Sequence, residues 1–175
     1  MADTSPETRH DAMTIRGVRA DDAPAIAEIY RPIVETTVIS FELVPPDAGE
    51  IARRIEATLE AGYPYLVAER DGAVTGYAYA ARFRGRAAYD GTAETSIYVR
   101  RDVKRGGVGR ALMTALEDRL REAGYRMMVA GMSGEDAEPS VRFHAALGFT
   151  LTGEIPAAGV KFGAEHKLTF MWKRL

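Results

Sequence analysis

The sequence predicts an α/β fold built on a mixed sheet. Strand-like and helix-like segments interleave along all 175 residues instead of segregating. Asp71-Gly72 joins two strand-like runs and is the dipeptide of a type I′ hairpin, so part of the sheet is antiparallel. The chain is 46% apolar and 27% charged, an ordinary globular balance, and is long enough to bury a sizeable core.

The elements follow in order. A short strand spans Thr14 to Val18. Asp21 and Asp22 offer an N-cap, Pro24 suits a first turn, and Ile26, Ile29, Tyr30 and Ile33 recur at helical spacing to near Thr36. Asp47 and Glu50 read as a D-x-x-E capping box for a second helix with an Ile51, Ile55, Leu59 stripe, stopped by Gly62 and Pro64. "YLVAER" and "AVTGYAYAARF" are the strands of the hairpin, and "TAETSIYV" is the next strand. Val108, Leu112, Leu116, Leu120 and Ala123 share a face of a third helix capped by Gly124. "RMMVAGM", a helix from Pro139 to Leu147, "FTLTGEI" and "LTFMWKRL" complete the pattern.

Composition narrows function. A formal charge of -2 gives no support for nucleic-acid binding, which needs a basic surplus or stripe. With no cysteine there is no disulfide, thiol nucleophile or zinc–thiolate site, which fits a reducing cytoplasm. His10, His144 and His166 show no ligand spacing, so no metal is expected. No apolar run reaches the length of a membrane span, and residues 1–12 read as a flexible polar lead-in to one domain over 13–175.

The stretch "VRRDVKRGGVGRALM" crowds cations and glycines just ahead of the third helix. A helix N-terminus has unpaired N–H groups and partial positive charge, glycines let a ligand approach the backbone, and Arg101, Lys104, Arg105 and Arg110 add full charges. A pyrophosphate suits such a place; a charged turn is the plain alternative. The P-loop pattern is absent, and Leu112 stands where a dinucleotide fingerprint needs its third glycine.

Further residues favour the pyrophosphate. "ETSIYVRRDVKRGGVGRALM" and "PSVRFHAALGF" resemble the GCN5-related N-acetyltransferases, whose Q/R-x-x-G-x-G/A loop holds the pyrophosphate of acetyl-CoA. Lys104 takes the Q/R position here, and Gly107 and Gly109 match. "VETTVISFE", "GYPYLVAERDG", "AAYDGTAETSIYV", "RMMVAG" and "AAGVKFG…LTFM" are similar to the phosphinothricin and methionine sulfoximine N-acetyltransferase branch, in order from Ile15 to Met171. The resemblance implies a mixed, mostly antiparallel central sheet flanked by helices, acetyl-CoA as co-substrate, a small-molecule amine as acceptor and a homodimer.

Acetyl transfer from a thioester needs a base for the ammonium, a donor for the developing oxyanion and a proton for the thiolate. The resemblance makes Glu94 the base. It lays pantetheine along Ile97, Tyr98 and Val99, with the oxyanion donor near Val99, and the pyrophosphate on Arg105, Gly106, Gly107, Val108, Gly109 and Arg110. His144 stands where many of the superfamily carry a general-acid tyrosine, and is either that acid or a structural histidine. Ala137 replaces a cofactor-contacting asparagine three residues before Ser140, with Asp136 beside it as a substitute. Arg84, Gly85 and Arg86 fall on the segment that grips the amino-acid acceptor, with Phe41 and Tyr89 as pocket walls. Where relatives often read K-F-G-x-W-x-D, this chain has "KFGAEHK", with Glu165 and Lys167 at the altered positions. Transfer to another amine, such as a peptide N-terminus, and a silent acyl-CoA-binding module are the alternatives.

Overall fold

The computed structural model describes residues 13–103 and 106–175. The expected lead-in over 1–12, and Lys104 and Arg105 of the basic loop, lie outside the described residues. Seven strands form one sheet: β1 (Thr14–Gly17), β2 (Tyr65–Arg70), β3 (Ala73–Arg82), β4 (Thr92–Val99), β5 (Met127–Ser133), β6 (Thr150–Lys161) and β7 (Ala164–Arg174). The order is β1-β2-β3-β4-β5-β7-β6, and only the β4–β5 pair is parallel. Helices α1 (Ala23–Thr36) and α2 (Ala48–Glu60) pack on one face, α3 (Val108–Glu122) and α4 (Glu138–Ala145) on the other. This is the mixed, mostly antiparallel α/β sheet that the sequence predicts.

Local chemistry sets the boundaries, with some departures from expectation. Asp22 precedes α1 without capping it; its carboxylate accepts instead from Arg19 N at 2.7 Å and from both terminal nitrogens of Arg16 at 2.8 Å. Only half of the Asp47 capping box forms. Asp47 accepts from Glu50 N at 2.8 Å, but the Glu50 carboxylate turns to Arg53 and Arg54. Leu59, in the last turn of α2, and Ala123, the C-cap just beyond α3, are exposed. Asp71 and Gly72 take φ of 51° and 77°, the left-handed pair that a type I′ turn requires.

The last two strands are much longer than the pattern suggests. β6 and β7 continue through "PAAGVK" and "AEHK" to a tight turn at Phe162 and Gly163, with φ of 51° and 76°. Pro156 and the glycines conceal the strand in the sequence. They are tolerated because β6 is an edge strand, and its register shifts between Leu151 and Gly153 and between Ile155 and Gly159.

The core on the α3 side depends on small residues beneath a leucine stripe. Leu112, Leu116 and Leu120 are fully buried over Ala68, Ala78 and Ala80. A Cβ added to Gly76 would meet Val108 and Leu112 at 3.1 and 3.2 Å, so the glycine lets the start of α3 approach β3. Leu116→Ala is expected to remove about 3 kcal/mol of stability and to lower Tm by roughly 10 °C. A loss under about 1 kcal/mol in a denaturant titration would contradict this packing.

Candidate active site

The site begins where β4 and β5 part. They pair from Thr92↔Met127 to Thr95↔Ala130 and no further. Beyond that point β4 stays bonded to β3 as far as Val99, and β5 to β7 as far as Ser133. The gap is a cleft of about 400 Å³ lined by residues 95–99 of β4, 130–133 of β5, Gly109 of α3 and α4 residues that include Ser140, Phe143 and His144. Arg100 N donates to Thr75 O at 2.9 Å. Because antiparallel strands alternate their hydrogen-bonding sides, the N–H groups of Ile97 and Val99 point the other way, into the opening.

The basic glycine loop meets the same cleft. Gly107, at φ 69°, is the left-handed N-cap of α3, and a Cβ added to it would meet nothing within 4 Å. That open left-handed position ahead of a long helix leaves first-turn N–H groups facing outward, a cradle suited to a pyrophosphate. Gly106 lies under the Arg70 guanidinium, whose Nη2 donates to its carbonyl at 3.4 Å. Val108 is buried against the sheet. Gly109 has a different purpose: its missing Cβ admits the Phe143 ring, which an added Cβ would meet at 3.2 Å. Arg110 is exposed and reaches the Ala146 carbonyl at 3.5 Å, while Arg101 lines the cleft.

Glu94 is half-buried on β4, and a Cβ on Gly131, which lines the cleft, would lie 4.0 Å from its Oε1. Burial pushes its carboxyl above the usual carboxylate range, against a smaller opposing pull from Arg84. His144 is 4% exposed and stands edge-on to Phe143 and Phe149. Its Nδ1 donates to Ser140 O at 2.8 Å, and burial holds its pKa below the ordinary value. A neutral ring with its proton on Nδ1 presents an acceptor at Nε2, not a proton. Asp136 is exposed on the cleft wall, and Ala137, at the α4 N-cap, is buried.

In the loop expected to grip the acceptor, the Arg84 guanidinium carbon sits 5.2 Å from the Phe83 ring centre. Tyr89 meets the same ring edge-on at 5.9 Å, and Gly85 and Arg86 are exposed in this loop. Phe41 is remote in sequence and lies against Gly159 of β6. Sequence reasoning missed the C-terminal end of β5, Gly131 to Ser133, and the wall formed by Ile33 and Ile39. One signal was available: a strand–helix–strand unit makes β4 and β5 parallel neighbours, and ligands bind at the carboxyl ends of such strands. Among the described residues no group of three or more potential metal ligands converges. No helix among them is long and apolar enough to cross a membrane.

Residues 15–168 match the family described as an acetyltransferase (GNAT) domain. The chain belongs to the GNAT acetyltransferase family. It is 45% identical over 152 residues to a phosphinothricin N-acetyltransferase of Alcaligenes faecalis, covering 87% of this chain and 77% of that protein. An L-methionine sulfoximine/L-methionine sulfone acetyltransferase of Salmonella typhimurium is 40% identical, over 93% of this chain and 95% of its own. The crystal structure of a phosphinothricin acetyltransferase from Sinorhizobium meliloti, in complex with acetyl-CoA, superposes with a TM-score of 0.88 at 40% identity, covering 93% of this chain and 88% of that one.

A carboxyl held above its ordinary pKa costs the folded state stability once it ionises. The sign is fixed: the folded state binds the proton more tightly, so stability present below the unfolded pKa is lost as pH rises through the folded one. Glu94→Gln is therefore expected to raise Tm at pH 7 and to leave it nearly unchanged near pH 4. Thermal melts at both pH values check this, and a lower Tm for the variant at pH 7 would refute it.

Proposed function

We propose that residues 13–175 act as one N-acetyltransferase domain that transfers acetyl from acetyl-CoA to the α-amine of a small amino-acid analogue of the phosphinothricin or methionine sulfoximine type. Acetyl-CoA, as co-substrate, supplies the activated acetyl group. The observation that carries the reading is Glu94: a half-buried carboxyl with a raised pKa beside the opening between β4 and β5. Glu94 takes the ammonium proton, directly or through a water. The Val99 N–H donates to the thioester carbonyl oxygen, and the cleft-facing edge of Ile97, Tyr98 and Val99 lines the pantetheine arm. The loop from Lys104 to Arg110 receives the pyrophosphate, Gly107 giving the backbone its turn; Asp136 and Ser140 complete that wall.

With no cysteine to carry the acetyl group, transfer is direct, in a ternary complex. Arg84 and Arg86 hold the acceptor's carboxylate and its phosphinate or sulfoximine group, with Phe41 and Tyr89 as walls. The neutral Nδ1–H tautomer of His144 favours its structural alternative, anchoring α4 at the cleft.

The test is acetyl-CoA-dependent thiol release over a panel of amines. L-phosphinothricin and L-methionine sulfoximine should turn over, with kcat lowered about 10²- to 10⁴-fold in Glu94→Gln. Turnover only on another amine would discard the acceptor assignment and keep the chemistry. Gly107→Val should weaken acetyl-CoA binding about tenfold or more, because a β-branched residue resists φ of 69°. Unchanged affinity in calorimetry would remove the loop assignment.

A homodimer is part of the same reading. The outer strand β6 exposes Leu151, Ile155 and Val160, an apolar edge of the kind that a second copy covers. Light scattering should give twice the 19.1 kDa chain mass, falling to one for Ile155→Asp combined with Val160→Asp. A parent that runs as a monomer would refute it.

A further inference from the structure

Residues 37–41, between α1 and α2, cross the end of the sheet as a strap. Val38 fills a hollow over Gly134, which has φ of 92° and where an added Cβ would overlap the valine side chain. The Ile39 carbonyl accepts from Ser133 Oγ at 3.3 Å. The Ser40 and Tyr30 hydroxyls share a 2.6 Å hydrogen bond, and the Ser40 carbonyl accepts from Lys161 Nζ at 2.7 Å. The Phe41 ring lies over Gly159, where an added Cβ would come within 2.7 Å of it. Ile39 also lines the cleft, so the strap forms part of its wall.

Lys161 is unusual chemistry for that place. It is 2% exposed, yet among the described residues it has no carboxylate within ion-pair distance, and its amino group meets a neutral carbonyl. Burying an amine in this way costs free energy that an apolar side chain would not. Strand β6 aims it there only after an irregularity: the register shifts between Ile155 and Gly159, with Ala157 at φ 52°. That offset faces Gly159 to Phe41 and Lys161 to Ser40, two adjacent residues of the strap.

We propose that Lys161 is a positioning residue for acceptor binding. Bonded to the Ser40 carbonyl, and with Phe41 seated on Gly159, it fixes the strap whose Ile39 lines the cleft on the acceptor side of this reading. The inference rests on the acetyl-transfer reading above and assigns one of its specificity determinants. Lys161 touches neither reacting group; it acts through Ser40 and Phe41.

The experiment compares the parent enzyme with Lys161→Met and Gly159→Ala. Steady-state KM is measured for L-phosphinothricin and L-methionine sulfoximine, acetyl-CoA Kd by calorimetry, and Tm for each protein. Losing one buried charged hydrogen bond, or displacing Phe41 by a methyl, should raise acceptor KM about tenfold. Acetyl-CoA Kd and kcat at saturating acceptor should stay within about twofold, the signature of lost acceptor binding alone. An unchanged acceptor KM would overturn the proposal, as would a parallel loss of acetyl-CoA affinity, which marks general loosening. If Lys161→Met does not fold, Gly159→Ala decides, since it leaves the amine in place. A parent inactive on every amine removes the functional reading and this inference with it. An active parent whose variants keep its acceptor KM removes the inference alone.

Discussion

Everything else in the structure depends on how long β4 and β5 remain paired. A parallel pair needs a crossover, and α3 supplies it. The pair lasts from Thr92 to Thr95, after which each strand is held only by its outer neighbour, β3 or β7. Both strands stay extended, but their facing edges keep backbone groups that no strand satisfies. In a closed core such groups would be strongly destabilising. Here they line a cleft, and a strand–helix unit opens its helix at the carboxyl end of the strand. The free edge at Ile97 and Val99 and the N-terminus of α3 at Gly107 therefore converge by topology alone.

The two faces of the sheet then impose different chemistry on the cleft. The α3 side is closely packed and apolar, with leucines over alanines. The α1–α2 side is rich in tyrosine: Tyr30, Tyr65, Tyr77, Tyr79 and Tyr98 lie within one cluster of rings. Glu94 shares that second face by strand alternation, so its carboxylate is poorly hydrated and its proton more tightly held. His144 is buried from the first face and is displaced toward its neutral form as well. Burial thus moves a carboxylate up and an imidazole down within one site, the direction that the proposed base role of Glu94 requires, while the Nδ1 proton of His144 is committed to the Ser140 carbonyl.

Much of this was legible in the sequence, and the failures have physical causes. Helices with regular apolar spacing and turns with fixed dihedral demands, such as Asp71-Gly72, read correctly because local chemistry decides them. The glycines read correctly as the entry to α3, although Gly107 and Gly109 are glycines for opposite reasons, one for its dihedral and open space, the other for the Phe143 ring. Nothing local marks Gly131 or Ile39 as part of the cleft wall, or Lys161 as a partner of Ser40. Their positions follow from sheet order and from an edge strand whose irregular register hides its period of two.

The β6–β7 hairpin explains why the departures in "KFGAEHK" need not reach the cleft. Glu165 pairs through its backbone with Val160, close to the hairpin turn, and its side chain is exposed. Lys167 reaches diagonally across the ladder to Glu154, whose direct partner is Thr169, and bonds it at 2.6 Å, while its own N–H donates to Glu135 at 3.3 Å. His166 meets Glu135 at 2.8 Å through Nδ1 and the Lys161 carbonyl at 3.1 Å through Nε2. As an imidazolium the ring donates at both nitrogens, and the Glu135 carboxylate holds its pKa above the ordinary value. His166 and the backbone N–H of Lys167 therefore tie the β6–β7 hairpin to Glu135 in the β5–α4 connection, while the Lys167 side chain stays within the hairpin. Lys161, in the same segment, stays bonded to the Ser40 carbonyl, so the substituted positions change surface charges and leave that buried contact intact.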